Sequence, residues 1–333
     1  MFRISTPVRD ISHPNILAAL GLAALLFAIE IGQNPGYLAS ALGALPAPQA
    51  EEASYYKNAY TIIDLPFGEL LADFSELKGL EPAASQQELP TILSKVGVTV
   101  EQLYQNLPSV AAEERITQEQ CDDDGRARST TQHDFNYLIT VNHDGPVESL
   151  QEYRTDARMR PVDSMGVGEG FNFTKDFASL WLLFYPVNQS LVNFRYLGEQ
   201  TSASGIRYAI AFAERPSEAA VKGYANAEGR SVLLLYQGVA WIDAKTYRIV
   251  RLRLDLLEPR LDIGLERSTT DIQFGEVHIP QAAAALWLPR EVTVTSIYNG
   301  QMYRNRHLYF NFKLFTVKSE IKPVGPAQPS PPN

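Results

Sequence analysis

The side chains that could do chemistry in this chain are scattered, and their spacing matches none of the common catalytic designs. His133, His143, His278 and His307 lie beyond the N-terminal apolar run. His133-Asp134 and His143-Asp144 flank one expected strand. Ten extended residues span roughly 30 Å, so the two histidines share a metal only if the chain folds back between them. No His-Glu-x-x-His zinc signature and no Gly-x-Ser-x-Gly nucleophile elbow occurs. Gly166, Gly168 and Gly170 alternate, but the third glycine of a phosphate-cradling loop is missing at its required distance; the stretch reads as a flexible loop beside Phe171. Asp122-Asp123-Asp124-Gly125 superficially resembles a calcium loop. Gln120 stands where the first Asp should be, and Ala127 and Ser129 do not continue the oxygen series, so a solvated turn is expected. Glu169, Asp176, Asp243 and Glu291 are available as paired carboxylates, but their separation is not readable from sequence. No catalytic residue, metal site or cofactor is expected.

The aromatic residues are the better candidates. Trp181, Tyr185, Phe194, Trp241 and Trp287 lie in or beside apolar segments, as does Tyr196. Such residues are ordinarily core. Their functional reading is the lining of an apolar groove for a lipid or acyl chain, since ligand sites are concave and largely aromatic-walled.

Positioning those side chains requires a framework, and the chain is long enough to build one. Its 333 residues, 45% apolar and 20% charged, can bury a substantial core. A net charge of −9 argues against general nucleic-acid binding, which needs a concentrated positive surface; Arg304, Arg306 and Lys313 are interleaved with apolar positions and read as a strand face. At the N-terminus, Arg3 and Arg9 precede an uncharged run from Ile16 to Ile29, followed by Ala39-Ser40-Ala41. Charge, apolar stretch and alternating small residues form the pattern of a secretory signal peptide over residues 1–41. Fourteen helical residues rise only about 21 Å, too short to span a bilayer; the alternatives are an uncleaved anchor, which would touch the membrane, or a buried helix. Export, to the periplasm or the extracellular space, is the expectation. Cys121 is the only cysteine, so no intramolecular disulfide is available.

Residues 42–66 read as a linker. From Phe67 to about Gln120 the spacing is helical: Leu70, Leu71, Phe74 and Leu77 recur at three and four. Ser85 with Glu88, and Thr99 with Gln102, predict two further helix starts, so 67–128 is expected to be a helical segment. Near Thr130 the period drops to two. Phe135, Tyr137, Ile139 and Val141 alternate with polar residues, a turn at His143–Pro146 follows, and the charged Ser149–Thr155 is predicted as an edge strand. Alternation continues through Ile206–Phe212, Val232–Trp241 and Val250–Leu256, and Asn299-Gly300 marks a hairpin between Val292–Tyr298 and Gln301–Phe315. Eight or nine antiparallel strands are predicted over 129–322, ahead of a disordered Pro-rich tail at 323–333. Phe177–Tyr185 reads equally as buried helix or strand. In the last hairpin Val292 and Val294 share a face with Tyr303 and Tyr309, whereas Phe310, Phe312 and Leu314 fall opposite. Either a bulge near Arg304–Arg306 shifts the register, or both faces are covered; cover on both faces is preferred.

Gly238-Val-Ala-Trp241-Ile-Asp243 followed by Thr246-Tyr-Arg248-Ile-Val-Arg251 resembles a strand–turn–strand of the periplasmic lipoprotein-carrier and sigma-regulator (LolA/RseB-like) superfamily. Trp287-Leu-Pro289-Arg-Glu-Val292 with the final paired strands resembles the later part of the same sheet. The likeness covers at most residues 130–318. It implies an α+β fold: a large curved antiparallel sheet, or half-open barrel, with helices packed on it and an apolar cavity for acyl chains. The expected function is that of an exported, non-catalytic envelope protein binding an apolar or lipidated ligand. The alternatives are a protein-interaction or sensor module without a cavity, and a hydrolase whose site is assembled from distant residues.

Overall fold

Alternating side chains over most of the chain build one sheet, and the computed structural model describes it through residues 54–142, 149–162, 177–216, 223–227, 230–280 and 282–315. The expected signal peptide, residues 42–53 of the linker, the turn at His143–Pro146, the glycines at 166–170 with Glu169 and Asp176, and the tail at 323–333 lie outside these residues. In chain order the elements are α1 (Phe67–Asp73), β1 (Leu80–Pro82), α2 (Leu89–Gln105), β2 (Val110–Cys121), β3 (Ala127–Asn142), β4 (Ser149–Thr155), β5 (Val192–Ser202), β6 (Gly205–Glu214), β7 (Gly223–Ala227), β8 (Arg230–Leu234), β9 (Tyr236–Asp243), β10 (Ile249–Leu256), β11 (Leu265–Val277), β12 (Leu286–Tyr298) and β13 (Gln301–Leu314). Eleven strands form a sheet in the order β1-β5-β6-β9-β10-β11-β12-β13-β2-β3-β4, and β7–β8 is a separate hairpin. Every pairing is antiparallel, and the sheet is open, with β1 and β4 at its edges. The α+β class and the antiparallel sheet with helices packed on it are as expected.

The two helices occupy opposite faces. On the inner face, Ile92, Val96, Val100 and Tyr104 of α2 pack with Ile210, Phe212, Ile242, Leu252, Ile272 and Val292 in the largest core cluster. On the outer face, Leu70 of α1 packs with Phe74, Leu77, Leu80, Leu197, Val239 and Trp241. Fully burying each such aliphatic or aromatic side chain contributes about 1.5–3 kcal/mol.

Several expectations need correction. The helical segment stops at Gln105, because 110–121 is β2. Its inward positions run Val110, Ala112, Glu114, Ile116 and Gln118, and the two polar residues among them disguise the period of two. Thr99 does not start a new helix; its hydroxyl donates to Lys95 O at 3.0 Å inside one continuous α2. Gly97 within α2 does not break it either: a Cβ there would lie 2.7 Å from Gln189 Nε2, so the glycine lets the 186–189 segment approach. Strands outnumber the eight or nine expected, partly because Val232–Trp241 divides into β8 and β9. Phe177–Tyr185 is neither α-helix nor strand but contains a 3-10 helix at Leu180–Phe184.

The last hairpin turns at Asn299 and Gly300, with φ of 48° and 73°. Its register is regular from Tyr298↔Gln301 to Glu291↔Leu308. No bulge occurs at Arg304–Arg306. The β13–β2 register shifts between Phe310 and Lys313 instead, around Asn311 at φ 54°. Tyr309 keeps the inward face of the regular register and Phe310 lies under Arg115 on the outer face, while past the bulge Phe312 and Leu314 return to the inner core. The bulge, not apolar cover on both faces, resolves the conflict.

Candidate functional site on the capped inner face

A strap of residues 177–191 crosses the inner face beside α2. Alternation on β5 and β6 places Phe194 and Phe212 beneath it, where the Phe184 ring meets them at 5.2 and 5.9 Å. Trp181 and Tyr185 both meet the edge of Tyr104 on α2, at 6.3 and 5.9 Å. Trp287 enters from β12; its indole N–H donates to Ile249 O at 2.8 Å and Arg248 stacks over it at 5.0 Å. Trp181 and Trp287 share a gap with Thr99, Val100, Leu103, Ile249 and Phe274. Its volume is about 10 Å³, no more than a single water needs. Four of the five aromatics chosen from sequence, Trp181, Tyr185, Phe194 and Trp287, therefore belong to one inner cluster. Trp241 does not. It points to the outer face, donates to Gln200 Oε1 at 2.8 Å and lies under Arg251 at 4.8 Å. β9 is apolar on both faces, so its alternation carried no sign of which side was inner.

The other half of the inner face holds a polar cluster that the sequence analysis did not single out. Glu114 on β2 and His307 on β13 are fully buried, and Arg154 on β4 nearly so. Arg154 donates to both Glu114 oxygens, through Nε and, at 2.8 Å, through Nη2. His307 Nδ1 lies 2.8 Å from Glu114 Oε1. Beside them the Tyr137 hydroxyl donates to Glu152 Oε2, while Ser179 N of the strap donates to Glu152 Oε1 at 3.1 Å. Phe177 closes the cluster edge-on to His307, ring centroids 5.1 Å apart.

Burial pushes the Glu114 carboxyl up, but the Arg154 charge and the hydrogen bonds from His307 and Arg154 outweigh it and hold the group at about 2. Burial lowers His307, against the opposing pull of Glu114. At neutral pH Glu114 is therefore ionised and His307 neutral. Nδ1 must carry the imidazole proton and donate it, which leaves Nε2 an acceptor. A His oriented by a carboxylate is half of a hydrolytic triad, but Phe177 covers this one edge-on, and among the described residues no Ser, Thr or Cys hydrogen-bonds to it. Among the described residues no group of three or more His, Cys, Asp or Glu could hold a metal ion. His133 stacks on Phe135 on β3, and Asp243 caps its own turn, accepting from Thr246 N at 2.8 Å.

These features define an open antiparallel sheet with helices on both faces and a strap across one of them. No family model matches the chain, and no curated protein matches it. Among solved structures it is similar to a chain described as an outer membrane lipoprotein-sorting protein domain from Vibrio parahaemolyticus, at 10% identity and a TM-score of 0.37, covering 68% of this chain and 94% of that one. It is also similar to a DUF1329 family protein from Desulfovibrio piger, at 11% identity and a TM-score of 0.39, covering 69% of this chain and 94% of that one.

Proposed function

We propose that this is an exported, non-catalytic envelope protein that takes an apolar or lipidated ligand between its strap and the inner face of its sheet. The observation that carries the reading is the Trp181–Trp287 seam, where aromatic and aliphatic side chains from α2, the strap and the sheet surround a gap too small to be a ligand cavity as it stands. The cover rests on the floor chiefly through apolar contact, and its polar ties include Ser179 N to Glu152 and Lys95 Nζ to Tyr247 Oη at 3.0 Å. An acyl chain entering the seam would exchange apolar contacts for apolar contacts, so opening the cover costs little buried surface once the ligand is in place.

Native mass spectrometry of the full chain purified without detergent tests this. A mass excess that organic solvent extracts as an acyl lipid supports it; an unliganded mass that does not change when lipid is added contradicts it. Intact mass also tests export, with cleavage after Ala41 the expected processing.

The closed seam favours a second reading, an interaction module without a cavity. Among the described residues β4 pairs with β3 on one side, and its other side meets only Pro161 and Val162 beside Arg154 and Thr155, so the rest of that edge is open to an added strand from a partner.

A further inference from the structure

The polar half of the inner face contains two buried nitrogens that the fold leaves unused. His307 Nε2 and Gln118 Nε2 are buried and have no hydrogen-bond partner among the described residues. Both project from the inner face of β13 and β2: Asn305 pairs with Gln118 and His307 with Ile116, so the two side chains are diagonal neighbours, and Phe177 of the strap lies against His307. Diagonal neighbours lie about 7–8 Å apart, within reach of a single small head group. A buried polar atom without a partner is destabilising, so a ligand that satisfies it is favoured over one that does not.

Resting on the proposed ligand-binding reading, we infer that His307 and Gln118 form a head-group subsite for a neutral, hydroxyl-bearing amphiphile whose chain lies along the Trp181–Trp287 seam. The chemistry follows from the donor and acceptor inventory. With Nδ1 donating to Glu114, His307 Nε2 accepts a hydrogen bond from a ligand O–H. Gln118 Nε2 donates to a ligand oxygen, its own carbonyl already accepting from Thr131 Oγ1 at 3.4 Å. A hydroxyl, or a hydroxyl beside an ester carbonyl, answers both. A carboxylate or phosphate does not, because it offers His307 no proton and would be buried near ionised Glu114.

The test is a binding titration of the full chain, followed by native mass spectrometry, with 1-monooleoylglycerol, oleate and hexadecane as probes. The expected result is binding of monooleoylglycerol at least tenfold tighter than oleate or hexadecane, with that preference lost in His307→Phe and reduced in Gln118→Leu. Thermal unfolding of both variants verifies that they fold, and Gln118→Leu, which leaves the Glu114 network untouched, keeps the test open should His307→Phe fail to fold. Equal affinity for the three probes, or a preference that survives both substitutions, overturns the subsite while leaving the apolar-ligand reading standing. Binding of none of them overturns both.

Discussion

The two halves of the inner face share one cover but are held together by different physics. Under α2, on β6, β9 and β10, the floor is Phe212, Ile210, Ile242 and Leu252, and cohesion comes chiefly from packing. Toward β2, β3, β4 and β13, the same face buries an ionised carboxylate, a guanidinium and a neutral imidazole. An apolar half can rearrange and still be satisfied, because any apolar neighbour will do. A buried charge network accepts only the geometry that pairs it, so it fixes its strands and the root of the strap while the rest stays free to repack. The contrast assigns the anchored end of the strap to Phe177–Ser179 and the yielding end to the Trp181 region.

Substitutions sharpen that contrast. Arg154→Met, which strands the buried Glu114 charge, should cost about 3–5 kcal/mol by urea denaturation. Adding Glu114→Gln should restore at least half of the loss, and a double variant no better than the single would break the account. Acid should act on the same half. Glu114 has a folded value of about 2 against an ordinary 4.5, so its contribution is present above pH 4.5 and lost as pH falls toward 2. That drop corresponds to roughly 3 kcal/mol. His307 is also lowered, by burial, so it adds to the acid sensitivity once pH falls below its ordinary 6.5. In the apolar half Leu252→Ala should cost about 3 kcal/mol from the cavity it leaves, with the increment unchanged between pH 7 and pH 4. Ile242→Val should cost about 1 kcal/mol. Arg115→Ala, which removes an exposed ion pair with Asp134 on the outer face, should leave the unfolding midpoint where it is.

How much of this was legible follows from the same contrast. The apolar half announced itself: Tyr208-Ile210-Phe212 read directly as strand, the turn between Asp243 and Arg248 came from the family resemblance, and four of five chosen aromatics fell into one cluster. Trp241 was misplaced because a strand apolar on both faces has no polar side to orient it. The polar half was hidden by its own chemistry. Glu114 and Gln118 interrupt the alternation of β2, which made it read as helix. Glu152 and Arg154 made β4 look like an ordinary charged edge, although Leu150 shares their face and marks it as inward. His307 could have been found: the register that puts Tyr309 beside Val292 puts His307 there too. Its partners could not, since pairing β2 with β13 joins residues nearly two hundred positions apart.

The chain's three tryptophans make the central claim directly measurable. Trp181 and Trp287 face the seam and Trp241 the opposite side, so lipid carrying a dibrominated acyl chain should quench the fluorescence of Trp241→Phe strongly and that of Trp181→Phe/Trp287→Phe hardly at all. Equal quenching of the two proteins, or none in either, would contradict a ligand between strap and sheet.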